Sequence, residues 1–478
     1  MVRAAHRSPA LALALAVLLA ALITIPLADS LYRVPIQVSD SLEPIVIAAK
    51  YDSGRHLLVD SLTFSPTTFR PSRYLQARAL LVLTNETGLT YHDVFRGVHV
   101  ALLVLLVGLF VAAVRVREWP DLVAFTVALP VLLGVHTFLS MLLEAFPVNH
   151  FAEVGVCALG VFVLAQHPAR WFVPIVACAL LALALSVIES GAMVWVTVIC
   201  CAAAGLRGIN RTTVVSTTLL FGGYVLLRHA LGISSPGVGG HGSGFGDQFY
   251  SPEELTQRFG AHPLGFMLYN VTGGLASLLF AEPRQGVYSL LAAWRQRDIH
   301  PVVLINVISS TAITGLLVWY AVTRLPGKRS TWSDLDRTFV AAVAAVVVNA
   351  VFNAVYMKDE IMSPGGLFYA IATFVAVRAL VERLPQQPLA IASLAAIFLV
   401  TISALWAFRV VGVHYQLRYD AFKTRNDWVE VLRPDKHDDW PRDPDELALT
   451  RHLRAEAINR RTTSPSFMPR WADRYWVE

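Results

Sequence analysis

The run Leu31-Tyr-Arg-Val-Pro-Ile-Gln-Val-Ser-Asp40-Ser-Leu-Glu43-Pro-Ile-Val-Ile-Ala-Ala-Lys50 stands between two apolar stretches, 11–27 and 94–114, and opens a polar segment over 31–93. Apolar stretches of about 20 residues are what a helix needs to cross a bilayer. Both kinds of segment recur along the chain. Further apolar runs cover 122–143, 151–165, 171–188, 193–206, 214–231, 301–322, 339–356, 367–380 and 389–411. Together they predict an all-α polytopic membrane protein of about eleven transmembrane helices, with the 31–93 segment as its large first outer loop.

Composition supports this class. Of the 478 residues, 55% are hydrophobic and only 15% are charged. A soluble chain of this length carries more charge. The formal net charge of +5 does not require a nucleic-acid partner, because Lys and Arg gathered in inner loops give the same balance. Arg3 and Arg7 precede the first run, Arg115 and Arg117 follow the second, and Arg207 and Arg211 follow the sixth. That alternation places the N-terminus in the cytoplasm and the first loop outside. The four cysteines fall within apolar runs and have no metal-ligand spacing, which points to packing.

The stretch 266–280 is the ambiguous one. If it spans, Arg324, Lys328, Arg329 and Arg337 face outward, against the charge rule; if it lies in the interface or re-enters, they face inward. The second alternative is adopted, within an outer region 232–300 that also holds the Gly237–Gly246 run. The transmembrane domain is then 1–412. A charged outer tail occupies 413–478, with twelve Lys/Arg, twelve Asp/Glu and four tryptophans. It is too charged to span, and its aromatics suit packing on the membrane domain or the headgroup layer.

Three outer clusters could carry chemistry. Asp40 and Glu43, just beyond a membrane exit, can take a proton or hold a cation; alternatively Asp40 caps a short surface helix with Glu43 in its first turn. Arg70, Arg73 and Tyr74, with His92 and His99 further on, suit a phosphate-bearing head group; alternatively the arginines reach lipid phosphates and His99 is a packing residue. Lys358 and Asp359 form the third cluster, either as substrate contacts or as a local ion pair. Asn349 and Asn353 share a helix face and are expected to bond between helices.

A first span followed by a loop that opens on an acid resembles the GT-C superfamily of membrane glycosyltransferases, which includes protein mannosyltransferases and lipid A aminoarabinose transferases. Phe69-Arg70-Pro71, Tyr91-His92, the span bearing His99, and Tyr356 to Asp359 before a glycine-containing helix are also similar to members of that group. The resemblance covers the chain to about residue 411. It implies a polyprenyl-phosphate-linked sugar donor, an acceptor at the outer face, and Asp40 as catalytic base or as a residue that helps place a divalent cation. This sequence has no adjacent Asp-Glu or Asp-x-Asp in the loop, only Asp40 and Glu43 three apart. Two other classes stand beside this expectation: a transporter or flippase of a lipid-linked substrate, with paired ionisable residues at depth, and a non-catalytic scaffold for envelope assembly. The composition suits a bacterial inner membrane.

Overall fold

The computed structural model describes residues 9–38, 41–64, 68–143, 150–233, 251–260, 263–281, 286–327, 329–355, 357–430 and 443–460; among them every regular element is a helix. In chain order the α-helices are α1 Pro9–Arg33, α2 Leu42–Ala49, α3 Gly54–Ser61, α4 Pro71–Thr87, α5 Tyr91–Val114, α6 Trp119–Gly134, α7 His136–Leu143, α8 His150–Ala165, α9 Val173–Val187, α10 Ala192–Ala204, α11 Arg211–Ala230, α12 Pro252–Phe259, α13 Pro263–Phe280, α14 Val287–Gln296, α15 Pro301–Arg324, α16 Asp334–Val351, α17 Asp359–Arg383, α18 Leu389–Glu430 and α19 Pro444–Asn459.

Five of these segments, α1, α5, α15, α17 with its terminal turn, and α18, are long and apolar enough to cross a membrane. The number rises to seven if α6–α7 and α12–α13 each count as one interrupted span. The chain is an integral membrane protein by this measure, at a lower count than the expected eleven. The difference lies chiefly in α8, α9 and α10, which are apolar but only 16, 15 and 13 residues long. The run expected over 122–143 is a broken helix: α6 ends at Gly134, Val135 is extended, and α7 leaves at 58°.

Helix α17 is the central post. Every residue from Met362 to Val377 is buried, as expected of a helix that is apolar on all faces. Pro364 within it cannot donate a backbone hydrogen bond, and the Ser363 hydroxyl donates to the Glu360 carbonyl at 2.6 Å. Asn349 of α16 donates to the Ile361 carbonyl and accepts from the Gly365 N–H, so it bonds between helices as its spacing suggests.

Ion pairs and carbonyl contacts fix which loops share an end of the bundle. At the far end Arg207 meets Asp334 at 3.3 Å, Arg337 donates to the Gly205 carbonyl, Arg329 donates to the Ala202 carbonyl, and Arg378 sits between Glu118 and Asp121. The end of α15 therefore lies with the loops after α5 and α10. Helix α13 begins at the opposite end, where Asn270 donates to the Ala354 carbonyl at 3.0 Å. It ends inside the bundle, where the Leu279 carbonyl accepts from the Thr314 hydroxyl at 2.6 Å. Thr314 lies 13 residues beyond Pro301, about 20 Å along α15. Helices α12 and α13 meet at 110°, the bend of either an interrupted span or a re-entrant segment. A helix terminus inside the bundle needs its carbonyls satisfied, and Thr314 serves that of Leu279. Lys328 lies outside the described residues.

Helix α18 is unbroken for 42 residues, about 63 Å at 1.5 Å per residue. The hydrocarbon core is about 30 Å thick, so its last third stands beyond the apolar layer at the loop-one end. The expected tail boundary at 413 falls inside this helix. The first part of the tail continues α18, and α19 folds back onto loop one and α5.

Candidate functional site at the loop-one end

Helix α4 opens with Pro71 in its first turn, a position where the missing N–H costs nothing. Arg70, just before it, reaches across to a short turn, Glu189–Gly191, between α9 and α10. A Cβ on Gly191 would lie 2.2 Å from the Ala184 carbonyl oxygen, so only glycine allows this return. The turn presents Glu189. Its Oε2 accepts from Arg70 Nε at 3.2 Å and Nη2 at 2.9 Å; its Oε1 accepts from the Phe69 N–H at 3.3 Å and lies 3.6 Å from Arg228 Nη1. One carboxylate thus serves two arginines and a backbone amide.

One turn along α4, Arg73 Nη2 lies 3.5 Å from Glu43 Oε2. Arg73 is buried whereas the Glu43 side chain is 61% exposed, so the guanidinium is the fixed partner. Tyr74 packs edge-on against Phe64 at 4.9 Å. Burial pushes its phenol above the ordinary value, with Arg73 opposing and Glu43 adding to the rise. Below these groups Gln76 Nε2 donates to Glu153 Oε1 at 2.6 Å, and His150 Nδ1 lies 3.4 Å from Glu153 Oε2. His150 is within electrostatic reach of Arg73, Arg70 and His99, so α4, α5 and α8 meet at one polar junction. Three arginines and two carboxylates at the rim can bind an anionic group, and the buried Glu153 and His150 can exchange a proton.

The two histidines expected as substrate contacts serve the loop. The His92 ring donates to the Tyr32 carbonyl at 2.7 Å. Arg96, fully buried, donates through Nε to the Val34 carbonyl at 2.6 Å and through Nη2 to the Pro35 carbonyl at 2.8 Å. Its Nη1 lies 2.6 Å from His99 Nδ1. A guanidinium can only donate, so Nδ1 accepts and the ring proton of His99 is on Nε2, a buried atom with no hydrogen-bond partner among the described residues.

Of the expected site residues, Glu43, Arg70, Arg73 and Tyr74 gather at this rim, and His92 and His99 lie behind it. Asp40 lies outside the described residues. Lys358 is exposed at the start of α17, and the neighbouring Asp359 is buried 3.4 Å from His136 Nε2; this is a separate pair at the α6–α7 break. No group of three or more His, Cys, Asp or Glu that could hold a metal occurs among the described residues.

Glu153, His150 and Arg96 were not singled out by sequence reading, although each is an ionisable residue in or beside an apolar run, which is a functional signal by itself. The same holds for Arg409. It is buried in α18, and it donates to the Gly134 carbonyl at 3.1 Å and to the hydroxyls of Ser309 and Ser310. Its guanidinium lies 3.9 Å from the Trp406 ring centre. A cation at the broken end of α6 meets the negative end of that helix dipole. Compared with known protein families, with curated proteins and with solved structures, the chain matches none.

Proposed function

We propose that this protein is a membrane glycosyltransferase of GT-C type, acting at the loop-one end on a polyprenyl-phosphate-linked sugar. The observation that carries the reading is the gathering of Arg70, Arg73 and Arg228 around Glu189 and Glu43. It leaves one cation in excess where a lipid phosphate leaving group needs stabilisation. The acceptor hydroxyl oxygen attacks the anomeric carbon. The bond from that carbon to the phosphate oxygen breaks, its electron pair leaves with the lipid phosphate, and the hydroxyl proton passes to the Asp40 carboxylate. Arginine suits the phosphate because its planar fork can hold two oxygens at once. In this reading the chain has eleven spans in a bacterial inner membrane, with its N-terminus in the cytoplasm and its C-terminus outside.

The test is transfer of radiolabelled sugar from polyprenyl-phosphate donors in membranes carrying the wild type, Asp40→Asn or Arg73→Gln. Transfer by the wild type, lost in Asp40→Asn and reduced at least tenfold in Arg73→Gln, supports the reading. Full activity of Asp40→Asn sinks the mechanism. No transfer by an inserted, stable wild type moves the assignment to a second reading, a transporter or flippase of a lipid-linked substrate. That alternative is favoured by the broken α6–α7 helix, the sharp α12–α13 bend and the buried Arg409 between the end of α6 and α15, since interrupted helices and charges at depth mark transport pathways.

A further inference from the structure

Four carbonyls at the end of α1 and in the segment just after it are taken by buried side chains. Tyr32 is held by His92, Val34 and Pro35 by Arg96, and Ile36 by Trp428, whose indole N–H donates at 2.6 Å. Three of these bonds come from α5. The fourth comes from α18, 392 residues away in sequence. The tail also grips α5. Glu456 of α19 accepts the N–H groups of Tyr91 at 3.2 Å and His92 at 3.1 Å, so the first turn of α5 is capped by a distant carboxylate. A negative charge at that end is favoured by the helix dipole as well.

Arg460 Nη2 meets Asp93 Oδ1 at 2.6 Å, and Asp93 also accepts from the Tyr32 hydroxyl at 2.7 Å. Lys50 at the end of α2 pairs with Glu446 of α19. Arg454 donates to the carbonyls of Trp428 and Val429 and so ties α19 to the end of α18. Apart from the Arg454 bonds, which join the two tail helices, these contacts bear on loop one or on the start of α5, the two segments that frame the rim site. Such over-determined bonding exceeds what a charged extension needs in order to stay folded.

We propose that the C-terminal elements position the first outer loop, with Trp428 and Glu456 as positioning residues of the transfer site. The inference rests on the reading of loop one as the transfer face, but its first test does not. Side chains locked by surrounding hydrogen bonds hold a site to within fractions of an ångström, and misplacement by about 1 Å can cost about a hundredfold in rate. The tail thus belongs to the site, and its effect falls on turnover more than on donor binding.

The experiment is hydrogen–deuterium exchange on the full chain in lipid nanodiscs, comparing the wild type with Trp428→Phe, Glu456→Ala and the conservative Glu456→Gln. The expected result is exchange at least tenfold faster in α2 and the first turn of α5 for Trp428→Phe and Glu456→Ala, a smaller change for Glu456→Gln, and none in α10 or α16. Unchanged exchange in α2 and α5 overturns the proposal. So does equal acceleration in α10 and α16, because it would make the tail a general support of the fold.

In the transfer assay, the same variants should lower kcat at least tenfold with KM for the lipid-linked donor within twofold. A raised KM at unchanged kcat assigns the tail to donor binding and overturns the positioning role. A wild type without transfer defeats the glycosyltransferase reading and leaves the exchange result to decide this one.

Discussion

At the far end of the bundle, Arg207 and Asp334 meet with both side chains 68% exposed, and short turns close the loops around them. At the loop-one end, Arg96 is wholly buried and spends its donors on two loop carbonyls and a histidine. Water could replace the Arg207–Asp334 contact, whereas it cannot reach the bonds that Arg96 makes to the loop. An unmade hydrogen bond to a buried carbonyl costs about 1–3 kcal/mol, while an exposed ion pair is worth about 0–1 kcal/mol. The Arg96 bonds therefore pin the segment where the loop leaves α1 more firmly than the Arg207 pair holds its own loop.

Substitutions test this contrast in order of size. Arg96→Leu should cost most, about 2–5 kcal/mol, because the Val34 and Pro35 carbonyls lose their donors together. Thermal unfolding in detergent, followed by circular dichroism, reads the loss, and a melting temperature within 1–2 °C (roughly the assay scatter) would refute the loop-pinning role. Trp428→Phe leaves one carbonyl, that of Ile36, unpaired, and should cost about 1–3 kcal/mol by the same measurement. Arg207→Ala at the far end should change stability by less than about 1 kcal/mol; a larger loss would erase the difference between the ends.

The smallest effect concerns Tyr74. Its folded-state phenol ionises above its ordinary value of 10.0, chiefly because it is buried. The neutral ring is fully favoured below the unfolded value. As pH rises past that value the unfolded chain loses the proton first, so this contribution to stability is lost through the folded value. The difference in phenolate absorbance between wild type and Tyr74→Phe should rise at a pH above the free-tyrosine range. A titration at the free-tyrosine value would show that the ring is solvated.

The sequence made the loop-one end legible as a place and left its construction hidden. Asp40, Glu43, Arg70 and Arg73 stand out because they are charged residues in a polar loop next to apolar runs, and the last three do lie at one rim or beside it. Asn349 was readable as a bond between helices, whereas Asn353 lies past the end of α16 and accepts from the Lys358 N–H instead. Glu189 carried no such mark. Its role depends on a turn that a glycine permits, and two of its partners, Phe69 and Arg70, lie about 120 residues away. Glu456 and Trp428 are further still from the residues they hold, and no local pattern encodes a contact between residues hundreds of positions apart. Arg96 and Arg409 were visible in principle, since a charge within an apolar run asks for a partner, but several of their partners are backbone carbonyls, which any sequence supplies. Helix α18 was underestimated because its apolar face ends at Val411 while its hydrogen bonding continues to Glu430.

That continuity has a mechanical consequence. A helix without a break is a rod, and this one starts at the far end, crosses the apolar layer and carries Trp428 on its upper length. The height of Trp428 above the lipid is therefore set by where the apolar part of the rod settles in the bilayer. Membranes differ in thickness by several ångströms, and apolar segments adjust to the mismatch by tilting. Since Trp428 holds the Ile36 carbonyl, any tilt of the rod is delivered to the first loop, and the thickness of the surrounding membrane becomes a variable that the loop can feel.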